Sequence, residues 1–334
     1  MELTVIWFVL VGVLFTGFFF LEGFDYGVGM LLPFLGKNDV ERRIIINSIG
    51  PVWDGNEVWM ITAGGALFAA FPHVYATMFS GFYLALFIML MALIVRAVAF
   101  EFRSKDENPV WRSTWDWMIF IGSAVPALLW GVAVTNLIKG LPINAKMQYA
   151  GTFFDLLSPY TLVGGAAFLL VFLFHGALFL TLKVEGELIE RTRRVAVKVG
   201  IAAAVAFLTL VGLTYTNTDL FKSSLASIAL WGAVAVFVLS YVLTCARKFG
   251  WAFALSGLAI VFTTTAFFSG LFPRLMVSSL NPAWNLTIYN ASSSAYTLKI
   301  MTYAAVLLVP LVLVYQGWTY WVFRKRVSAK HLEY

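Results

Sequence analysis

The sequence predicts an all-α integral membrane protein of nine transmembrane helices, with its N-terminus outside and its C-terminus in the cytoplasm. Three observations carry this reading. Of 334 residues, 61% are hydrophobic and 12% charged, whereas a soluble globular chain is roughly 25% charged. Apolar runs of about 20 residues, the length that crosses a bilayer, recur along the chain. The basic residues divide unequally between the two sides that those runs define.

The runs fall at 5–33, 50–72, 74–100, 117–138, 159–182, 195–216, 224–246, 250–272 and 298–323. Each is expected to be helical, because lipid offers no partner for the backbone groups of an open strand. The first run is over-long, so tilting or bending is expected near its glycine-rich end. With the N-terminus outside, the inner loops and the C-terminal tail hold seventeen Lys and Arg, and the outer segments hold five. That asymmetry sets the orientation.

The connections add detail. Residues 37–48 are amphipathic and suit the cytoplasmic interface. Residues 184–194 form a charged cytoplasmic hinge that divides a first helix set, 1–183, from a second set with a basic tail, 195–334. Two four-helix bundles plus one peripheral helix is the arrangement this suggests. The segment 275–297, with Asn281, Asn285 and Asn290, is the longest polar outer stretch, and it suits either a cap over a site or a plain loop.

Composition also excludes several classes. The net charge of +6 reads as a topology signal, so no nucleic-acid partner is expected. The single cysteine, Cys245, rules out an internal disulfide and a CxxC metal site. His73, His175 and His331 are too few for a multi-histidine centre, so no metal site is expected. There is no Walker loop, Rossmann fingerprint, CxxCH, HExxH or nucleophile elbow. Any redox chemistry then draws its cofactor ligands from another chain.

The run 50–72 is the informative one. It is long enough to span, yet it opens with Trp53, Asp54, Asn56, Glu57 and Trp59. Ionisable residues inside a membrane segment are functional candidates by default. Asp54 and Glu57, three apart, should share a helix face. The predicted orientation brings Glu22, Asp25, Asp54, Glu57, Arg96, Glu101 and Asp116 to the cytoplasmic leaflet. One reading is structural: the acids cap helices and pair with Arg96. The other is a wet cleft that admits protons, with Asp25 and Asp54 foremost because neighbouring glycines allow close approach and room for water. Arg96 is read as paired with an acid of the first or second helix. His175, in an apolar helix, suits either a ligand or a hydrogen-bonded core histidine, and His73 suits the interface.

Several stretches resemble subunit II of the cytochrome bd quinol oxidases. They are Glu22–Leu31, Asn38–Ser48 and Gly50–Trp59, then Ala63–Pro72, Phe79–Tyr83, Arg96 with Phe102–Lys105, and Trp115–Trp117. Weaker echoes follow at Val184–Glu187 and Tyr296–Thr302. The resemblance implies one subunit of a bacterial inner-membrane oxidase that oxidises quinol and reduces dioxygen to water. It implies a heterodimer with subunit I, which holds haem b, haem d and the main quinol site, and in some members a very small third chain. It implies that this chain is a scaffold contributing a cytoplasmic proton path, with Trp53-Asp54 and Asp25 at the family's positions. On this reading the path comprises Asp25, Asp54, Glu22, Glu57 and Glu101, supported by Trp53, Arg96, Trp59 and Asn56, with no catalytic residue in this chain. The resemblance also allows a structural quinone or lipid on this chain. Two alternatives stand beside it. One is a purely structural subunit. The other is a proton-coupled secondary transporter, which would place a midplane site between two related halves; the one-sided placement of the acids argues against that.

Overall fold

A computed structural model describes residues 2–329. Lys330 and His331 lie outside the described residues. The fold is all-α apart from one short pair of strands. In chain order the helices are α1 (Leu3–Leu35), α2 (Asp39–Ile49), α3 (Trp53–Ala70), α4 (Pro72–Gly81), α5 (Tyr83–Phe102), α6 (Pro109–Lys139), α7 (Pro159–Lys183), α8 (Glu187–Asn217), α9 (Ser224–Cys245), α10 (Phe249–Leu271) and α11 (Ala295–Val322). Strands β1 (Arg274–Met276) and β2 (Leu286–Thr287) pair antiparallel between α10 and α11.

Among the described residues, eight helices are long and apolar enough to cross a membrane: α1, α5, α6, α7, α8, α9, α10 and α11. The run 50–72 forms α3, but Asp54, Asn56 and Glu57 in its first turns lower its apolarity below theirs. The expected helix over 74–100 is divided. Proline 72 opens α4 at its first position, where a missing N–H costs nothing, and the chain leaves helical geometry at Phe82 (φ −94°, ψ 13°) before α5 begins. The over-long α1 stays helical over 33 residues, its glycine-rich segment included. The 184–194 segment is mostly helix: only Val184–Gly186 is irregular, with Gly186 at φ +63°, and the rest forms the first turns of α8.

Local chemistry sets the starts. Asn38, Asn108, Ser158, Ser223 and Ser294 each accept a backbone N–H in the first turn of the helix they precede, which satisfies donors that a helix leaves unpaired. Pro109 and Pro159 follow two of these caps at the first helical position.

Helix α1 is the axis of the bundle and packs against α3, α6, α7 and α10. Glycines make the close crossings possible. A Cβ on Gly27 of α1 would sit 2.1 Å from the Phe172 carbonyl oxygen of α7, and one on Gly176 would sit 2.5 Å from the Gly27 backbone. Gly131 and Gly164 bring α6 and α7 together in the same way. Without a hydrophobic drive between helices in lipid, such small-residue contacts supply the packing. At the far end from α2, β1 helps cover an apolar cavity of about 100 Å³ lined by Phe8, Phe82, Trp130 and Met276. Arg274 in β1 pairs twice with Asp219, 2.9 Å each, and holds that carboxyl below its ordinary range. Helix α11 stands apart: Leu298 is its one buried residue.

Gly176→Leu should therefore cost about 3 kcal/mol or more by overpacking. Gly212→Ala in α8, whose added Cβ meets open space, should be neutral or stabilising by up to about 1 kcal/mol. Thermal midpoints of the detergent-solubilised protein check both.

Candidate functional site

One buried arginine organises the site. Arg96 comes from α5, and Gly122 of α6 leaves room for its stem: a Cβ there would lie 2.5 Å from the Arg96 Cβ. The guanidinium is sheathed by the rings of Tyr26, Phe100 and Trp53, at 5.1, 5.3 and 5.8 Å. Its Nη1 donates to Glu22 Oε1 of α1 at 2.7 Å and to Glu57 Oε1 of α3 at 2.6 Å. Glu22, Asp25 and Arg96 are all fully buried, and the Glu57 side chain is 17% exposed.

Asp25 lies one turn beyond Glu22 on the same face of α1. Its Oδ2 accepts from Asn56 Nδ2 at 2.6 Å. The Asn56 Oδ1 accepts in turn from Tyr320 O–H at 2.8 Å and from Gln316 Nε2 at 3.3 Å. Trp59 Nε1 donates to Gln316 Oε1 at 2.8 Å. The chain Trp59, Gln316, Asn56, Asp25 thus runs in one direction, each N–H aimed towards the aspartate. It also ties α11, otherwise almost unsupported, to α3 and α1.

Several buried atoms have no protein partner: Glu22 Oε2, Asp25 Oδ1, Tyr26 O–H, and Arg96 Nε and Nη2. Such groups are normally bonded to protein or water. Three carboxylates and one guanidinium meet here away from solvent. Two carboxylates bond one guanidinium and a third bonds an asparagine, so the cluster holds more acid than base.

Not every expected residue joins it. Asp54 and Glu101 are exposed and make no contact with Arg96. Three residues turn a helix through about 300°, which leaves Glu57 pointing into the bundle and Asp54 out of it. Asp116 is buried in a separate network: Arg103 Nε meets its Oδ1 at 2.6 Å, and Arg42 Nη1 meets its Oδ2 at 2.7 Å. Asp39 bridges Arg103 and Arg112 at 2.9 and 2.8 Å. Arg191 on α8 holds Glu41 at 2.7 Å and keeps that carboxyl below its ordinary range. These pairs staple α2 to Arg103 in the turn after α5, to α6 and to α8.

His175 is a core histidine. Its Nδ1 lies 2.6 Å from Ser256 Oγ, its Nε2 lies 3.1 Å from the Phe20 carbonyl oxygen, and its ring stacks on Phe253 at 4.6 Å. With both nitrogens engaged, it does not fit an axial-ligand role. His73 is exposed. Among the described residues, no group of three or more His, Cys, Asp or Glu is placed to hold a metal.

Sequence reasoning missed Tyr26, Gln316 and Tyr320. Gln316 was visible as the one amide in an apolar run, four residues before Tyr320 and so on its face. Tyr320→Phe and Gln316→Leu should each cost about 1 kcal/mol. Because both donate to Asn56, their effects should not add; a double-mutant cycle on thermal unfolding reads this out.

Comparisons with known proteins agree with this fold. The chain is 47% identical, over 97% of each sequence, to the cytochrome bd ubiquinol oxidase subunit 2 of Bacillus subtilis. It is 42% identical to the cytochrome bd-I ubiquinol oxidase subunit 2 of Escherichia coli K12, over 98% of this chain and 96% of that one. The solved structure of the bd oxidase from Geobacillus thermodenitrificans contains a chain of similar fold, with TM-score 0.76 and 19% identity, covering 94% of this chain and 97% of that one. A model of the cytochrome bd terminal oxidase subunit II family matches residues 3–323, and the chain belongs to that family.

Proposed function

We propose that this chain works in the bacterial inner membrane as subunit II of a quinol:dioxygen oxidoreductase, supporting a haem-bearing subunit I and admitting protons to it from the cytoplasm. The observation that carries the proton reading is the imbalance of the Arg96 cluster. The Asp116 network has three arginines for two aspartates, as a structural staple requires. The Arg96 cluster has one arginine for three carboxylates. A buried site with excess acid is a poor staple and a good proton reservoir.

The orientation supports a cytoplasmic source. Trp7 Nε1 of α1 donates to the Leu298 carbonyl oxygen of α11, and Asn56 joins Asp25 to the other end of α11. Helices α1 and α11 therefore run parallel, which is consistent with nine passes when α3 is counted and not with eight. At about 1.5 Å per residue the 18 residues of α3 reach about 27 Å, close to the hydrocarbon thickness. With nine passes, the excess of Lys and Arg supports an N-terminus outside and an Arg96 cluster nearer the cytoplasm.

Helix α11 and the outward face of α3 form the surface that suits the partner. Val58, Ile61 and Phe68 are exposed on α3, and apolar residues are exposed along α11. Asp54 is exposed on α3 as well, at the end nearer the cluster, and would hand protons across. Haem b and haem d belong to the partner on this reading, because His175 does not fit them; when bound there, they carry electrons from quinol to dioxygen. Glu57, the least buried acid of the cluster, is the point of uptake, Asp25 holds the proton inside, and Glu22 stays paired with Arg96.

Asp25→Asn tests this in the assembled oxidase. Haem content should be unchanged, while turnover and proton uptake fall about tenfold or more, the low end of what a positioned acid–base group contributes. Undiminished turnover and uptake would remove the proton role and leave the chain a scaffold.

A further inference from the structure

We propose that Arg96 is a shared counter-ion that exchanges between Glu57 and Glu22, and that this exchange couples the open edge of the cluster to its sealed interior. The inference rests on the proton reading above and goes beyond it by assigning a positioning role to the arginine.

The geometry is unusual for a structural ion pair. An arginine that anchors carboxylates commonly does so through its fork, with two parallel N–H bonds to one partner. Arg96 uses one nitrogen, Nη1, for two carboxylates on two helices, at 2.7 and 2.6 Å. Its other donors, Nε and Nη2, have no protein partner. The guanidinium therefore forms no fork with either acid: the two hydrogens of Nη1 go one to each, and the unused Nε and Nη2 hydrogens leave it able to bond either acid more fully when the other is neutral. The two acids also differ in access: Glu22 is sealed, whereas Glu57 is 17% exposed.

The surroundings hold the charge in place while leaving the bonding free. From α1, Glu22, Asp25 and Tyr26 face the guanidinium. From α3 come Trp53 and Glu57, with Asp54 outside. Phe100 lies on Arg96's own helix, and Tyr320 of α11 reaches the same region through Asn56. No second cation is bonded to Glu22, Asp25 or Glu57 in the ion pairs of the described residues. Aromatic faces attract the guanidinium without fixing which carboxylate it serves.

The cycle is balanced in charge. A hydronium ion at the open edge gives its proton to the Glu57 carboxylate, which becomes neutral as water is left behind. Arg96 then pairs wholly with the Glu22 carboxylate. The proton passes on to an ionised Asp25, Glu57 is again an anion, and it recovers its share of Nη1. Asp25 is made ready by releasing its previous proton towards the partner subunit. No electron moves and no bond other than O–H is made or broken.

A double-mutant cycle of Glu22→Gln and Glu57→Gln in the assembled oxidase tests the exchange. Either substitution leaves Arg96 with one fixed partner. The expected result is that each single variant slows proton uptake at least tenfold and moves the pH profile of turnover, with haem content retained. The double variant should be no slower than the slower single, because both steps belong to one device. If the two losses multiply in the double variant, or if turnover falls with an unmoved pH profile, Arg96 is a fixed strut and the proposal fails. Should a glutamine variant lose haem, Glu22→Asp and Glu57→Asp keep the charge and shorten the reach, and the same cycle is read on them. An unaffected Asp25→Asn would instead remove the proton path itself, so the two failures are distinguishable.

Discussion

The structure turns on one electrostatic constraint: two carboxylates share one guanidinium inside an apolar bundle, with a third carboxylate close by on an asparagine. Charge in such a place is tolerated only when paired and bonded. The surrounding fold can be understood as what makes that arrangement tolerable. Aromatic rings from three helices cover the guanidinium, an asparagine bonds the aspartate, and glycine at position 122 lets the arginine stem pass between α5 and α6.

The close packing of α1 follows from the same need. Glu22 can meet Arg96, and Asp25 can meet Asn56, only if α1 sits deep in the bundle, and it does so because Gly27 and Gly176 let two backbones touch. His175, one residue before that contact, then bonds to both neighbours, α1 through the Phe20 carbonyl and α10 through Ser256. A residue type that first suggests metal chemistry is here a bolt between three helices. The ion pairs around Asp116 and Glu41 do comparable work at the end of the bundle, where α2 is fastened to the turn after α5, to α6 and to α8.

Much of this was legible in the chain. Apolar run lengths gave the long helices, because lipid admits few alternatives, and Arg96 paired with acids of the first and second helices as its cost at depth demands. Where side chains point differs from what spacing suggests, for physical reasons. Asp54 and Glu57 are neighbours by spacing, yet a separation of about 60° around the axis is enough to send one inward and one outward. Glu101 and Asp54 look like their buried counterparts in sequence, since nothing local distinguishes an acid aimed at a partner helix from one aimed away. The break at Phe82 follows Gly81, a weak signal inside a run that is otherwise continuously apolar. Tyr26 was hidden among aromatics that mostly serve packing, and Gln316 acts across 260 residues of sequence, a separation that no local pattern reports.

The most direct test is reaction-induced infrared difference spectroscopy of the assembled oxidase during turnover. The account predicts a carbonyl stretch from a protonated carboxyl group that shifts in D2O, changes between resting and reduced states, and is traced to this chain by isotope labelling of subunit II alone. If labelling subunit II leaves every protonated-carboxyl band unmoved, the Arg96 cluster neither stores nor passes protons, and the account is contradicted.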